Sequence, residues 1–321
     1  MKILSVDQVC APLRADLRMA GARCALQTNS EEILASLSRW RALAHGESGH
    51  SFEMNVMVDS EARREKGVAP HFRGLHHMVF GSFGADETIV FDLLRRRVSA
   101  VVSRDTASDE RFWNVRLLPT ILGLLGATIG VVPLHCACMD KDGEGLLIAG
   151  HSGTGKSTLA VTLSHRGFAL VSDGWTYVGR NGNGLTAHGI SAPVKLLPDA
   201  VRYFPELRAF EAASASNGEM AFEIDAAETF RTEVRRESVP RWLMMLERTE
   251  ARECEIVPLR GEAARVFFET SVERLPAQLK EAAETRTSLI ESLSRTECWL
   301  ARCGGPPDVA AEAISRFIER V

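Results

Sequence analysis

Residues 150–158 read Gly-His-Ser-Gly-Thr-Gly-Lys-Ser-Thr, and an aspartate, Asp173, closes the next apolar run seventeen residues after the lysine. The first string fits G-x-x-x-x-G-K-[ST], a loop whose glycines let the backbone curl and turn its N–H groups toward phosphate oxygens. Lys156 is spaced to reach the β- and γ-phosphates of a nucleoside triphosphate, and the Ser157 hydroxyl to ligate magnesium. Gly150, Ser152, Gly153, Thr154, Gly155, Lys156, Ser157 and Thr158 are therefore the candidate ATP-binding residues. Asp173 has two readings. Near the loop it would hold magnesium, together with Ser157, or accept the proton of an attacking hydroxyl. Otherwise it is a solvated aspartate opening the Asp-Gly turn at 173–174.

The flanking elements favour the first reading. Residues 145–149, Gly-Leu-Leu-Ile-Ala, form the short apolar run of a buried parallel strand. Residues 156–166 predict a helix with Leu159, Ala160 and Leu163 on one face, stopped by Gly167 in the C′ position. Residues 168–172 predict a second strand. A helix of that length spans about 16 Å, so the chain can run up one helix and back along a neighbouring strand, which sets Asp173 beside the mouth of the loop.

The stretch 135–174 resembles the catalytic core of HPr kinase/phosphorylase, whose nucleotide fold is shared with the ATP-dependent phosphoenolpyruvate carboxykinases. The resemblance rests on His135 fifteen residues before Gly150, on the loop with Ser152, on Arg166-Gly167 ahead of the apolar strand, and on Asp173 at its end. Beyond that core, the chain is similar to HPr-kinase-related proteins of bacterial exopolysaccharide and modified-peptide gene clusters. The similarity lies in residues 168–178, 193–198 and 203–207, Asn217-Gly-Glu219 and Pro240-Arg-Trp242. Two positions depart from the HPr kinase pattern: Gly174 stands where a second aspartate is expected, and Thr186, ahead of His188-Gly189, stands where a glutamate is expected.

The resemblance implies a fold of mixed α/β and α+β type. A P-loop kinase core of the HPr kinase/PEP carboxykinase-like type, over 109–321 with C-terminal helices, follows a small antiparallel α+β module over 1–108. It also implies ATP and Mg2+ as cofactors, a small protein or peptide as substrate, and a homo-oligomer, with a hexamer as the candidate assembly. By family position His135 would sit near the γ-phosphate and tune Asp173, the candidate general base. Lys195 and Arg241 are candidates for neutralising developing phosphate charge, and Glu219 for assisting at the metal. The expected activity is transfer of the γ-phosphate to a hydroxyl, a serine of a small protein or peptide. The alternatives are a nucleotide-binding accessory protein without transfer activity, which Gly174 and Thr186 favour, and a small-metabolite kinase.

Composition narrows the partners. The 321 residues carry a net charge of −4, which gives no electrostatic case for nucleic acid or an anionic membrane. Seven cysteines, at 10, 24, 136, 138, 254, 298 and 303, form no C-x-x-C pair and read as reduced thiols of a cytoplasmic protein. Cys136 and Cys138 alternate beside His135, and burial on a strand explains them better than a metal site. Residues 1–8 lack the apolar core of a secretory signal. The uncharged run 117–134 reaches the lower limit for a membrane span, but its prolines and glycines predict a buried helix joined to a strand.

In the first hundred residues, Asn29-Ser-Glu-Glu32 predicts a capping box opening a helix through Ile33, Leu34, Leu37 and Trp40. Strands are expected at 52–58, 78–83, 88–92 and 97–102. His71, His76 and His77 read as surface or packing residues rather than a metal or proton-transfer site. At the other end, 282–300 is helix-like, Gly304-Gly-Pro-Pro307 is a break, and 309–321 predicts an amphipathic helix with Ala313, Ile314, Phe317 and Ile318 inward.

Overall fold

The computed structural model describes residues 13–41, 51–65, 68, 70–182, 184–190, 193–215, 218–272 and 274–320. The signal reading at 1–8, Cys10 and the Asn217 of the Asn-Gly turn lie outside the described residues. The chain forms two compact units, residues 1–131 with 274–285, and residues 132–273 with 286–321.

The first unit is built on a seven-stranded sheet. Its strands are β1 (Leu13–Met19), β2 (Ala22–Thr28), β3 (Phe52–Val58), β4 (His71–Leu75), β5 (Met78–Ser82), β6 (Thr88–Asp92) and β7 (Arg97–Val102), in the order β1-β2-β3-β7-β6-β5-β4. Of the expected capping box only the N-cap half forms: the Ser30 hydroxyl accepts from the Ile33 amide at the start of the helix Glu31–Ser36, while the Ser30 amide donates to the Thr28 hydroxyl rather than to a glutamate. The sheet is mixed rather than antiparallel, because β3 runs parallel to both β2 and β7. The helix Glu31–Ser36 lies in the connection between β2 and β3, a parallel pair that a tight hairpin could not join. The described histidines 71, 76 and 77 form no metal cluster; His76 Nδ1 lies 3.1 Å from the Gln278 amide, and His77 3.9 Å from Asp92.

The helical run Glu110–Ile129 is long and apolar enough, by length and composition, to cross a membrane, yet half of it is buried inside the fold. It leads into β8 (Val131–Leu134), the helix-then-strand arrangement expected for this segment. Its start is tied to the first unit by Trp40 Nε1 donating to Asn114 Oδ1 (2.6 Å), by Arg64 donating to Asp109 (2.6 Å) and by the Phe83–Phe112 ring contact. These contacts place residues 109–131 with the first unit, whereas the sequence alone suggests a boundary at 109.

The second unit carries the glycine loop. Its strands continue as β9 (Cys136–Lys141), β10 (Glu144–Ala149), β11 (Ala169–Ser172), β12 (Thr176–Asn181), β13 (Gly184–His188), β14 (Val194–Leu196), β15 (Ala213–Ser214), β16 (Met220–Ile224), β17 (Glu237–Arg248), β18 (Cys254–Pro258) and β19 (Glu297–Cys303). The long strand β17 organises the sheet. Its start pairs with β13, its middle runs parallel to β10, and its end runs parallel to β19. On the other side of β10 lies β9, antiparallel to it, and then β11. The short strands β14, β16 and β15 make a separate three-stranded sheet in that order.

Both faces of the central strands are buried, so they read as continuous apolar runs. Ala137, Met139, Leu146, Ile148 and Met244 pack on one face with Leu159 and Leu163 of the helix Lys156–Ser164 and Ile314 and Ile318 of the helix Pro307–Ile318. Cys136, Cys138, Leu147, Ala149 and Leu243 pack on the other with Ala264 and Phe268 of Gly261–Ser271 and with Leu289, Ile290 and Leu293. Cys136 and Cys138 are thus core residues, as their period-two spacing predicts. The helix-like stretch 282–300 divides into the helix Lys280–Leu293 and strand β19, because β19 takes the open edge of β17.

Candidate functional site

Strands β10 and β11 run in the same direction on either side of β9, so their C-terminal ends fall at one edge of the sheet. The helix length alone suggests direct neighbours; β9 stands between them, and the geometric consequence is the same. Past Ala149 the chain turns through the loop into the helix Lys156–Ser164. Gly150, Gly153 and Gly155 take φ of 152°, 80° and 94°, and nothing lies within 4 Å of where a Cβ on Gly153 or Gly155 would stand. Side chains there would strain the backbone and occupy the open space beside the loop. The Thr154 hydroxyl donates to the His151 carbonyl (2.9 Å), bracing the turn, and Ser152 is exposed on its rim.

Lys156 is buried, and its Nζ donates to the carbonyls of Gly150 (2.9 Å) and His151 (3.1 Å). Burial pulls its pKa below the usual lysine value, while Asp173 and Cys136 oppose that shift. Asp173 follows β11 directly. Its Oδ2 accepts from the Lys195 amide (3.1 Å), while its Oδ1 is buried without a hydrogen-bond partner. Burial raises the Asp173 pKa, against the pull of the Lys195 and Gly174 amides, the Ser157 hydroxyl and the Lys156 charge. A solvated turn aspartate would have neither the buried oxygen nor the raised pKa.

His135 precedes β9, whose Cys136 pairs with Ala149, so the imidazole sits at the same edge. Its pKa is lowered by burial and then by Lys156, both of which favour the neutral ring. The ring centroid is 5.3 Å from that of Trp175, a half-exposed side chain that no motif singles out. The only sequence signal for Trp175 is its place two residues after Asp173. Thr176 fixes the turn, its hydroxyl donating to the Cys136 carbonyl (2.8 Å) with the Ser172 hydroxyl 2.6 Å away.

Lys195 on β14 serves Asp173 through its amide, whereas its Nζ pairs with Glu219 Oε2 at 2.7 Å. Glu219 is exposed, and its carboxylate is paired with that lysine. Arg241 is a correction. It lies near the start of β17, beside Glu144 at the start of β10, whereas the glycine loop leaves the opposite end of β10. Its guanidinium holds both Glu144 oxygens at 2.6 Å and approaches Glu297 at 3.5 Å, so it is a strand-end clamp far from the loop. Thr186 is buried on β13 opposite Gly179, and Ser157 and Thr158 open the loop helix.

No protein-family model matches the chain. The HPr kinase/phosphorylases of two Treponema pallidum strains, Nichols among them, are each 35% identical to it over 91 residues, 28% of this chain and 27% of theirs. Over that stretch the chain is similar to the HPr kinase/phosphorylases. The match spans about a quarter of the length of those curated relatives. The structure of the Hpr(Ser) kinase/phosphatase from Coxiella burnetii aligns with a TM-score of 0.31 and 14% identity, covering 59% of this chain and 91% of that one. In this chain the loop, His135, Asp173 and the Lys195 amide converge, and Arg241 stands apart.

Proposed function

We propose that the chain is an ATP- and magnesium-dependent kinase that transfers the γ-phosphate to a hydroxyl, a serine of a small protein or peptide. The observation that carries this reading is Asp173 Oδ1, a buried carboxylate oxygen without a partner at the edge of the glycine loop. Such an oxygen is costly unless a cation or a donor completes it. Both a magnesium ion and an acceptor hydroxyl would do so.

The donor set fits these groups. Loop amides and Lys156 would hold the phosphates, and Ser157 with Asp173 would hold the metal, since no three His, Cys, Asp or Glu side chains cluster among the described residues. When bound, magnesium supplies neutralisation of charge on the phosphate oxygens. Asp173, its pKa raised, is the group suited to take the proton of the attacking hydroxyl. Neutral His135 would sit beside it without adding charge, and the Lys195 amide would hold its carboxylate in place.

One feature favours a second reading, an accessory protein that binds nucleotide without transfer. Gly174 takes φ of 86°, a left-handed conformation that favours glycine, and it brings no second carboxylate beside Asp173. Labelled ATP and a co-expressed candidate peptide separate the two. Transfer that vanishes in Asp173→Asn and persists in Glu219→Gln supports the kinase; tight ATP binding with no transfer to any acceptor supports the accessory protein.

A further inference from the structure

Within the first unit, a cavity of about 500 Å³ is lined by Arg64, Glu65, Val68, Phe83, Glu87, Asp105 and Phe112. That is the size of sites that enclose small organic ligands. At its inner wall Glu87 is completely buried. Its Oε1 accepts from the Ser103 amide at 2.8 Å, and its Oε2 is buried without a partner among the described residues. The one cation lining the cavity does not serve it. Arg64 Nη1 donates to Asp109 at 2.6 Å, and its guanidinium lies 4.4 Å from the Phe112 ring centroid. The lining therefore holds three carboxylates, Glu65, Glu87 and Asp105, against an arginine already neutralised by a fourth acid.

We infer that this cavity binds a small organic ammonium ion, whose N–H groups complete Glu87 Oε2 and whose hydrocarbon body lies against Phe83, Phe112 and Val68. A bare metal ion fits less well. Hard cations gather several oxygens, no three acidic or histidine side chains cluster that way among the described residues, and the remaining wall is aromatic and aliphatic. The Phe83 and Phe112 rings meet edge to face at 5.8 Å, which fixes the apolar wall, and aromatic walls also favour cations over anions. Glu65 and Asp105, both exposed, set a negative rim that repels carboxylates and draws an amine inward.

The test uses the full chain in amine-free phosphate buffer, with phenethylamine, 2-phenylethanol and phenylacetate as probes of equal bulk and different charge, followed by calorimetry. Phenethylamine should saturate one site and bind at least about tenfold more tightly than 2-phenylethanol, with phenylacetate weakest. Glu87→Gln keeps an acceptor for the Ser103 amide and should cost phenethylamine about tenfold while leaving 2-phenylethanol unchanged. If that variant does not fold, Asp105→Asn on the exposed rim should weaken phenethylamine about two- to threefold, and less in high salt. Equal binding of the three probes, preference for phenylacetate, a cavity that takes only water at millimolar probe, or variants without effect would overturn the inference.

Discussion

At the scale of single residues, Asp173 sets function against stability. Its folded pKa is raised by burial, so the charged form is disfavoured in the native state. A group raised in this way contributes stability below its unfolded pKa and loses that contribution as pH rises through the folded value. Asp173→Asn keeps an acceptor for the Lys195 amide and removes the buried charge. The variant should melt a few degrees above the parent at pH 8, with the gap closing on acidification, while phosphate transfer falls about 10²- to 10⁴-fold. A variant that melts lower at pH 8 would show that Asp173 is not strained by burial. The same raised pKa predicts that, in the protein free of nucleotide and metal, Asp173 takes up its proton at a higher pH than an ordinary aspartate, which a carboxylate titration followed by NMR would show. Lys156→Ala should weaken ATP binding at least about tenfold in calorimetry, because the lysine is the cation placed at the loop. The loop and Asp173 are legible in the sequence because each sits at the end of a predictable element, whereas Lys195 is singled out there for its charge and meets Asp173 through its amide, its Nζ being paired with Glu219. Arg241 is not, because a motif match cannot say which end of a strand a residue occupies; only the pairing of Glu144 with Val239 reveals it. Trp175 carries no signal of its own, and its contact with His135 forms only when β9 and β11 pair.

The element that fixes the site edge most tightly is the crossing of β11 by the segment after β13. A Cβ on Gly189 would stand 1.7 Å from the Val171 carbonyl oxygen, an overlap that no side-chain adjustment can relieve. Gly189 is also held by its amide donating to the Arg236 carbonyl at 2.9 Å. Gly189→Ala should therefore cost about 3 kcal/mol or more in urea unfolding. Because Val171 lies two residues before Asp173, it should also loosen ATP binding in whatever fraction stays folded. A neutral substitution would mean that these two segments do not approach as described. Strand and helix types around the loop are readable from apolar runs and a C′ glycine, since local rules decide them. Strand order is not. Parallel pairs such as β2 with β3, β3 with β7 and β10 with β17 join segments distant in the chain, and only the packed sheet defines them. The helix-like reading of 282–300 fails for that reason, since β19 forms by pairing with β17 and β18.

For the molecule as a whole, the loop, His135, Asp173 and Lys195 all belong to the second unit, and the ammonium cavity belongs wholly to the first. Two chemistries on two units should leave separate thermodynamic traces. A ligand that binds only the folded state stabilises it by about 2.7 kcal/mol at a concentration a hundred times its Kd. For a unit of this size that raises the midpoint by about 5–10 °C. ATP with magnesium should therefore shift the unfolding of the second unit by that amount. In hydrogen exchange it should protect the loop, the end of β10, the turn after β11 and β14, because these carry the proposed contacts. The β1–β7 sheet should respond to phenethylamine instead. If ATP protects the seven-stranded sheet as strongly as the loop, nucleotide binding is not confined to the unit that holds Asp173, and the proposed division of labour between the units fails.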